Sequence, residues 1–229
     1  MKFLTWNIKW PGQSSKKSVV KDLTSKLCPS ILVLLETKLP EPNLQLIRQV
    51  WGRRLSQWVS LPANGASGGI WVVWHPSDFT LNSYFIGVFS VTILLSCISD
   101  GIPLKFTAVY GPTSSSLRSK LWSKLGHVAS LSHPIWCLGG DFNVTRWSQK
   151  RNSSNSISPE MRDFSDFISR TELLDILLQG SRFTWSNHAS NPILSKLEVP
   201  LVLGLGGPFS KILVFSLSKT HLGPLSHFA

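Results

Sequence analysis

Acidic residues are scarce in this chain of 229: 12 Asp and Glu stand against 23 Lys and Arg, a formal charge of +11. That balance favours a polyanionic partner, because Lys and Arg release counterions when they neutralise phosphates; the plainer reading is a solvated basic surface. The basic side chains are spread along the chain (Lys16, Lys17, Lys21, Lys26, Arg53, Arg54, Lys120, Lys124, Arg146, Lys150, Arg151), with Trp10, Trp51 and Trp147 near some of them. Cysteine is equally sparse. Cys28, Cys97 and Cys137 are odd in number, widely spaced and set in apolar sequence, which excludes a disulfide framework and a zinc pattern and reads as reduced core residues of an intracellular protein. Long apolar runs are missing too. The start, Met1-Lys2-Phe3, reaches Trp6-Asn7 too soon for a signal-peptide core. The one stretch near membrane-spanning length, 199–217, is interrupted by Pro200, Gly204, Gly206, Gly207, Pro208 and Lys211. No membrane partner is expected. No internal repeat is visible, and 42% hydrophobic with 10% aromatic residues argues against disorder and for one large core.

What is present is a set of short apolar runs, each closed by polar groups. Ile135-Trp136-Cys137-Leu138 leads into Gly140-Asp141-Phe142-Asn143, Phe3–Trp6 into Asn7, Ile31–Leu35 into Glu36-Thr37-Lys38, and Phe106–Val109 into Tyr110-Gly111-Pro112. In an extended segment residues i and i+2 point the same way, so Asp141 and Asn143 are expected to converge while Phe142 turns into the core. Ligands gather at the carboxyl edge of strands in α/β sheets. Four unrelated capping turns are the structural alternative.

Helical periods fall between the runs. Ser15–Leu27 places Val19, Val20, Leu23 and Leu27 on one face, and Ser114–Ser130 does the same with Leu117, Leu121, Leu125 and Val128. Ser158-Pro159-Glu160 supplies an N-cap, a first-turn proline and a first-turn acid ahead of Met161, Phe164 and Ile168. Strands are predicted over Trp71–Trp74, Val88–Leu95 and Leu104–Tyr110, with turns at Asn64-Gly65 and Asp100-Gly101. His75, His127, His133 and His188 read as surface or loop residues.

The series Trp6-Asn7, Glu36-Thr37-Lys38, Ser67-Gly68-Gly69-Ile70, Val109-Tyr110-Gly111-Pro112, Gly139-Gly140-Asp141-Phe142-Asn143 and Phe183-Thr184-Trp185-Ser186-Asn187 resembles the endonuclease/exonuclease/phosphatase superfamily, and within it the endonuclease domain of plant LINE-type retrotransposons. The likeness runs in order over residues 1 to about 198. It implies an α/β fold, a DNase I-like four-layer sandwich of two mixed sheets flanked by helices, and DNA as partner. Phosphodiester hydrolysis calls for a divalent cation, magnesium or alternatively manganese, held by few oxygen ligands. By the resemblance Glu36 is its direct carboxylate ligand with Asn7 beside it, and Asp141 and Asn143 also face the metal. Asp141 would position or deprotonate the attacking water, and Asn143 would bind the phosphoryl oxygen. Tyr110 would stabilise the pentavalent state as donor or phenolate, and Trp185 and Asn187 would touch DNA beside the scissile bond.

The likeness then stops. In Ser195-Lys196-Leu197-Glu198, Glu198 stands where the family strand carries an aspartate, and no Asp or Glu follows it. The family's closing Asp-His pair is therefore absent, since His221 and His227 follow no aspartate, and no general-base histidine is identified. Residues 199–229 read as a diverged tail, with the C-terminal part of the fold incomplete. Three functions stay open: a magnesium-dependent endonuclease weakened by that loss, a non-catalytic nucleic-acid-binding remnant, and a phosphatase of the same superfamily.

Overall fold

A computed structural model describes residues 1–8, 14–52, 55–65, 67–132, 135–146, 157–175, 185–186, 194–195, 201–203 and 213–217. The first half runs β1 (Lys2–Asn7), α1 (Ser14–Leu27), β2 (Ile31–Leu35), α2 (Leu44–Trp51), β3 (Gln57–Asn64) and β4 (Ser67–Trp74). The second runs β5 (Phe79–Ile86), β6 (Ser90–Cys97), β7 (Pro103–Tyr110), α3 (Ser115–Ala129), β8 (Ile135–Asp141), α4 (Pro159–Arg170) and β9 (Leu174–Asp175). Four short strands follow: β10 (Trp185–Ser186), β11 (Leu194–Ser195), β12 (Leu201–Leu203) and β13 (Leu213–Leu217).

Two mixed sheets result. The first has the order β13-β1-β2-β4-β3 and the second β5-β6-β7-β8-β12-β9, while β10 and β11 form a separate pair. Each large sheet holds a parallel pair joined by a helical crossover, β1 with β2 through α1 and β7 with β8 through α3. Side-chain alternation then makes four layers. On β2, Ile31, Val33 and Leu35 enter the core between the sheets, where they meet Phe3, Phe106 and Cys137. Leu32 and Leu34 face the other way, toward Val20 and Leu23 of α1 and Ile47 and Trp51 of α2. On β8, Ile135 and Cys137 face inward, whereas Trp136 and Leu138 pack under Trp122 and Leu125 of α3 and Phe164 and Phe167 of α4. Strands covered on both faces need apolar residues at every position, which is why these runs are unbroken rather than alternating.

The helices form where their boundary residues dictate. Ser158 accepts a hydrogen bond from the Met161 backbone, and Pro159 opens α4, as its sequence predicts. The short α2 is bracketed by Asn43, which caps Leu46 N–H, and by Gly52 at φ 71. Two expectations are corrected. Leu117 is 38% exposed, and Arg118 takes its place on the buried face of α3. Cys28 is exposed rather than in the core, because it follows α1 in a left-handed conformation (φ 46) and its thiol turns back to Ser25 O. Cys137 is buried, and burial pushes its thiol pKa up. Among the described residues no helix is long and apolar enough to cross a membrane. Within the stretch 199–217, β12 inserts between β8 and β9 and β13 adds to the edge of the first sheet beside β1.

Candidate active site

The two parallel pairs joined by helical crossovers point their carboxyl ends to one place, and a single side chain ties them together. Asn7, the last residue of β1, donates from Nδ2 to Glu36 Oε1 at 3.0 Å and to Asp141 Oδ2 at 2.9 Å. Glu36 follows β2 and Asp141 ends β8, so this one amide bridges the two sheets. All three are buried, at 3%, 8% and 6% exposure, whereas the other buried polar groups among the described residues are mostly hydroxyls. Two carboxylates held 6% and 8% exposed need donors or a cation to offset their desolvation.

Tyr110 completes the group. It ends β7 in register with Asp141, and its phenol lies beside Glu36. Burial, then the adjacent Glu36 and then Asp141 push its pKa well above the ordinary phenol value. The proton is held on, which makes Tyr110 a hydrogen-bond donor rather than a phenolate in this arrangement.

Asn143 lies differently from the extended geometry its spacing predicts. It adopts φ 52, a left-handed conformation that asparagine tolerates. Its backbone N–H donates to Asp141 Oδ1 at 2.9 Å and its Nδ2 to Gly111 O at 2.6 Å. It therefore orients Asp141 through the main chain and pins the loop after Tyr110 through its side chain. Phe142 turns into the core, fully buried against Trp122 and Phe164, as alternation predicts.

The donor set fits a hard divalent cation. Two carboxylates are supplemented by Asn7 Oδ1, a buried carbonyl oxygen that no described residue hydrogen-bonds. Such oxygen ligands suit magnesium or manganese. No cluster of three or more His, Cys, Asp and Glu suited to a metal occurs among the described residues, so the carboxamide oxygen is needed to make up the set.

At the level of sequence, no family profile and no curated protein matches the chain. Similarity lies in the structure. An AP endonuclease from Leishmania major superposes with a TM-score of 0.67 at 16% identity, covering 88% of this chain and 78% of its own. The endonuclease domain of a telomere-specific non-LTR retrotransposon gives 0.64 at 11%, covering 87% and 83%. An endonuclease/exonuclease/phosphatase family protein from Bacteroides thetaiotaomicron gives 0.60 at 12%, covering 88% and 80%. The chain has the endonuclease/exonuclease/phosphatase fold.

Within this fold, three of the sequence-predicted site residues form one hydrogen-bonded group, Asn7, Glu36 and Asp141, with the Tyr110 phenol beside it. Asn143 joins through its backbone. Trp185 lies on β10, paired with Ser195 of β11. Asn187 and Glu198 lie outside the described residues, as do His133, His188, His221 and His227. Of the described histidines, His75 bonds Ser77 and His127 bonds Ser123 O on α3.

Two supports of the site have no role in the motif reading, one formed by residues inside the quoted motifs and one by a residue outside them. Glu36 and Lys38 both sit at φ 52, and the Thr37 and Lys38 N–H groups donate to Gly69 O and Gly68 O. A Cβ on Gly69, itself at φ 89, would overlap Thr37 Oγ1. The second glycine of the 68–69 pair thus lets β4 grip the turn that presents Glu36. Arg118, 8% exposed, donates from Nη1 to Pro112 O at 3.0 Å and Thr113 O at 2.6 Å, clamping the loop whose Gly111 carbonyl holds Asn143. Its signal was an arginine at apolar spacing with Leu121, Trp122 and Leu125 on α3.

Proposed function

We propose that the chain is a phosphodiester hydrolase of endonuclease type that acts on DNA with magnesium, or alternatively manganese, as cofactor. The observation that carries this reading is the Asn7 bridge between Glu36 and Asp141, which leaves a buried carbonyl oxygen beside two carboxylates. Glu36, Asp141 and Asn7 Oδ1 would hold the cation, which when bound neutralises charge on the phosphoryl oxygens. Asp141, fixed by the Asn7 and Asn143 N–H groups, orients the attacking water and takes up its proton. Tyr110 donates its phenolic hydrogen to an oxygen that gains charge as the bond to phosphorus forms. Asn143 keeps both of these loops in place and, by the motif resemblance, would bind the phosphoryl oxygen. Trp185 and Asn187 contact the strand beside the scissile bond, and Glu198 serves in place of an aspartate.

The DNA substrate is supported by the net charge of +11 and by the nuclease neighbours. The retrotransposon neighbour supports an origin in an element of that kind, the plant LINE type by motif resemblance. A second reading, a non-catalytic nucleic-acid-binding remnant, is favoured by one observation: residues 199–229 contain no Asp or Glu and therefore no Asp-His pair. Loss of a positioned acid or base costs about 10²- to 10⁴-fold in rate. The superfamily's phosphatases make that chemistry the remaining alternative.

Nicking of supercoiled plasmid by the full chain with magnesium, beside EDTA and an Asp141→Ala control, separates the two. Magnesium-dependent nicking that disappears in the control supports the hydrolase. Folded protein that binds plasmid and never nicks it supports the remnant. A chimera ending in an Asp-His pair should then gain cleavage if the carboxylate half of the site is competent.

A further inference from the structure

The hairpin joining β5 to β6 stands beside the carboxylate group and takes no part in it. Register fixes its position: Ser90 pairs with Val109, and Val109 with Gly140, so residues 87–89 are level with Tyr110 and Asp141. The backbone N–H of Tyr110 itself donates to Phe89 O at 2.9 Å. β5 is the outer strand of its sheet, two strand spacings or about 10 Å from β7.

Burial ends partway along β5. After an irregularity between Leu81 and Ser83, Tyr84 is 51% exposed, Phe85 45% and Ile86 46%, and Val88 in the turn reaches 74%. Successive strand residues face opposite ways, so exposure of neighbours means that the strand end projects past the core on both faces. None of the eight residues of β5 is charged or proline, the residues with which natural edges are guarded. A cation stands at the same tip, since a methyl group on Gly87 would lie 3.4 Å from Lys124 Nζ and 2.9 Å from Ser90 Oγ.

From these placements we infer that the β5–β6 hairpin is a base-stacking platform for a nucleic-acid strand running into the site, with Tyr84 and Phe85 offering ring faces on opposite sides of the strand end and Lys124 meeting a phosphate. Rings beside a cation bind single strands, because every base has a stacking face and every nucleotide a charge. In an intact duplex those faces already stack on one another. The inference rests on the hydrolase reading and narrows it: the substrate is single-stranded or locally unstacked nucleic acid.

The test uses the full chain and a Tyr84→Ala/Phe85→Ala double variant. Anisotropy of a labelled single-stranded oligonucleotide in EDTA reports binding, a duplex of the same length serves as comparison, and hydrolysis of bis(p-nitrophenyl) phosphate with magnesium reports chemistry without bases. One stacked base, about 1–3 kcal/mol, corresponds to a rise in single-strand Kd of roughly 5- to 150-fold, with duplex Kd and small-diester hydrolysis unchanged. Tyr84→Phe with Phe85→Tyr, which keeps both rings, retains the wild-type Kd. Lys124→Ala lowers the salt slope for the single strand by about 0.7. An unchanged single-strand Kd in the double alanine variant overturns the platform. So does a wild-type dimer that the double variant converts to monomer, which makes the hairpin an interface between copies. Should the wild type fail on the small diester yet show the stacking loss, the hydrolase reading falls and the platform stands.

Discussion

Asn7 holds two carboxylates that would otherwise repel each other across the join of the sheets, and a backbone fit presents Glu36 to it. The turn 36–38 has two left-handed residues and is gripped by the carbonyls of Gly68 and Gly69. Gly69→Ala places a methyl against Thr37, whereas Gly68→Ala meets nothing within 4 Å. Both substitutions carry the backbone cost of a left-handed non-glycine residue, about 1–2 kcal/mol. Only the first pushes the Glu36 turn, and misplacement by about 1 Å costs about 10²-fold in rate. Urea melts are therefore expected to fall for both variants, and nicking to fall about 10²-fold for Gly69→Ala alone. Tyr110→Phe is the complementary case: it leaves the strand unchanged and removes one donor, with an expected loss in kcat of about 10²- to 10³-fold and an unaltered melt. Equal activity of Tyr110→Phe and wild type would remove the phenol from the chemistry.

Among the elements, β7 carries a side chain at odds with its surroundings. Lys105 is fully buried, and its Nζ donates to Val128 O at 2.7 Å, Leu131 O at 2.9 Å and Ala129 O at 3.3 Å while lying 4.7 Å from the Trp136 ring centre. It closes the carboxyl end of α3, where carbonyls lack helical partners. Lys105→Met should cost about 1–3 kcal/mol by leaving buried acceptors unpaired. Burial also lowers its pKa from 10.5 to about 8. Between those values the unfolded chain binds this proton and the folded one does not, so stability rises with pH there. Relative to Lys105→Met, the wild type is expected to gain stability from pH 8 to 10.5 and lose that gain as pH falls through 8. Paired denaturant melts at pH 7.5 and 10 check the sign. The same strand shows what sequence conveys at this scale. β1, β2, β7 and β8 were legible because two-sided burial demands unbroken apolar runs, and α4 because its cap, proline and acid coincide. β3 and β5 were not, since edge strands such as Gln57–Asn64 and Phe79–Ile86 mix polar and apolar residues without a strict period. α2 has only eight residues, too few for a helical period to stand out. The site residues were legible as types at strand ends, and Arg118 as an arginine inside the apolar period of α3; the Asn7 bridge and the left-handed Asn143 depend on how strand ends meet in the fold, which no local pattern encodes.

For the molecule as a whole, the division of the sequence at residue 198 can be set against the way the sheets are built. β12 lies inside the second sheet, pairing Leu201 with Leu138, Val202 with Cys137 and Leu203 with Trp136 on one side, and with β9 on the other. Its three residues serve both apolar layers: Leu201 is 1% exposed in the helix-side core and Val202 fully buried between the sheets. β13 likewise extends the first sheet beside β1, the strand that ends in Asn7. Fully burying an aliphatic side chain is worth about 1.5–3 kcal/mol, so removing Leu201 and Val202 alone forfeits about 3–6 kcal/mol, a large share of the roughly 5–15 kcal/mol that holds a domain folded. A chain ended after residue 198 is therefore expected to melt about 6–24 °C lower than the full chain, or to lose its cooperative transition, in near-UV circular dichroism. Val202→Asp, which keeps the length and buries a charge between the sheets, should reproduce the loss. If instead the shortened chain melts with the full chain while Val202→Asp does not, then the strand harms only when wrongly filled, and residues 1–198 fold as a unit to which the tail is added.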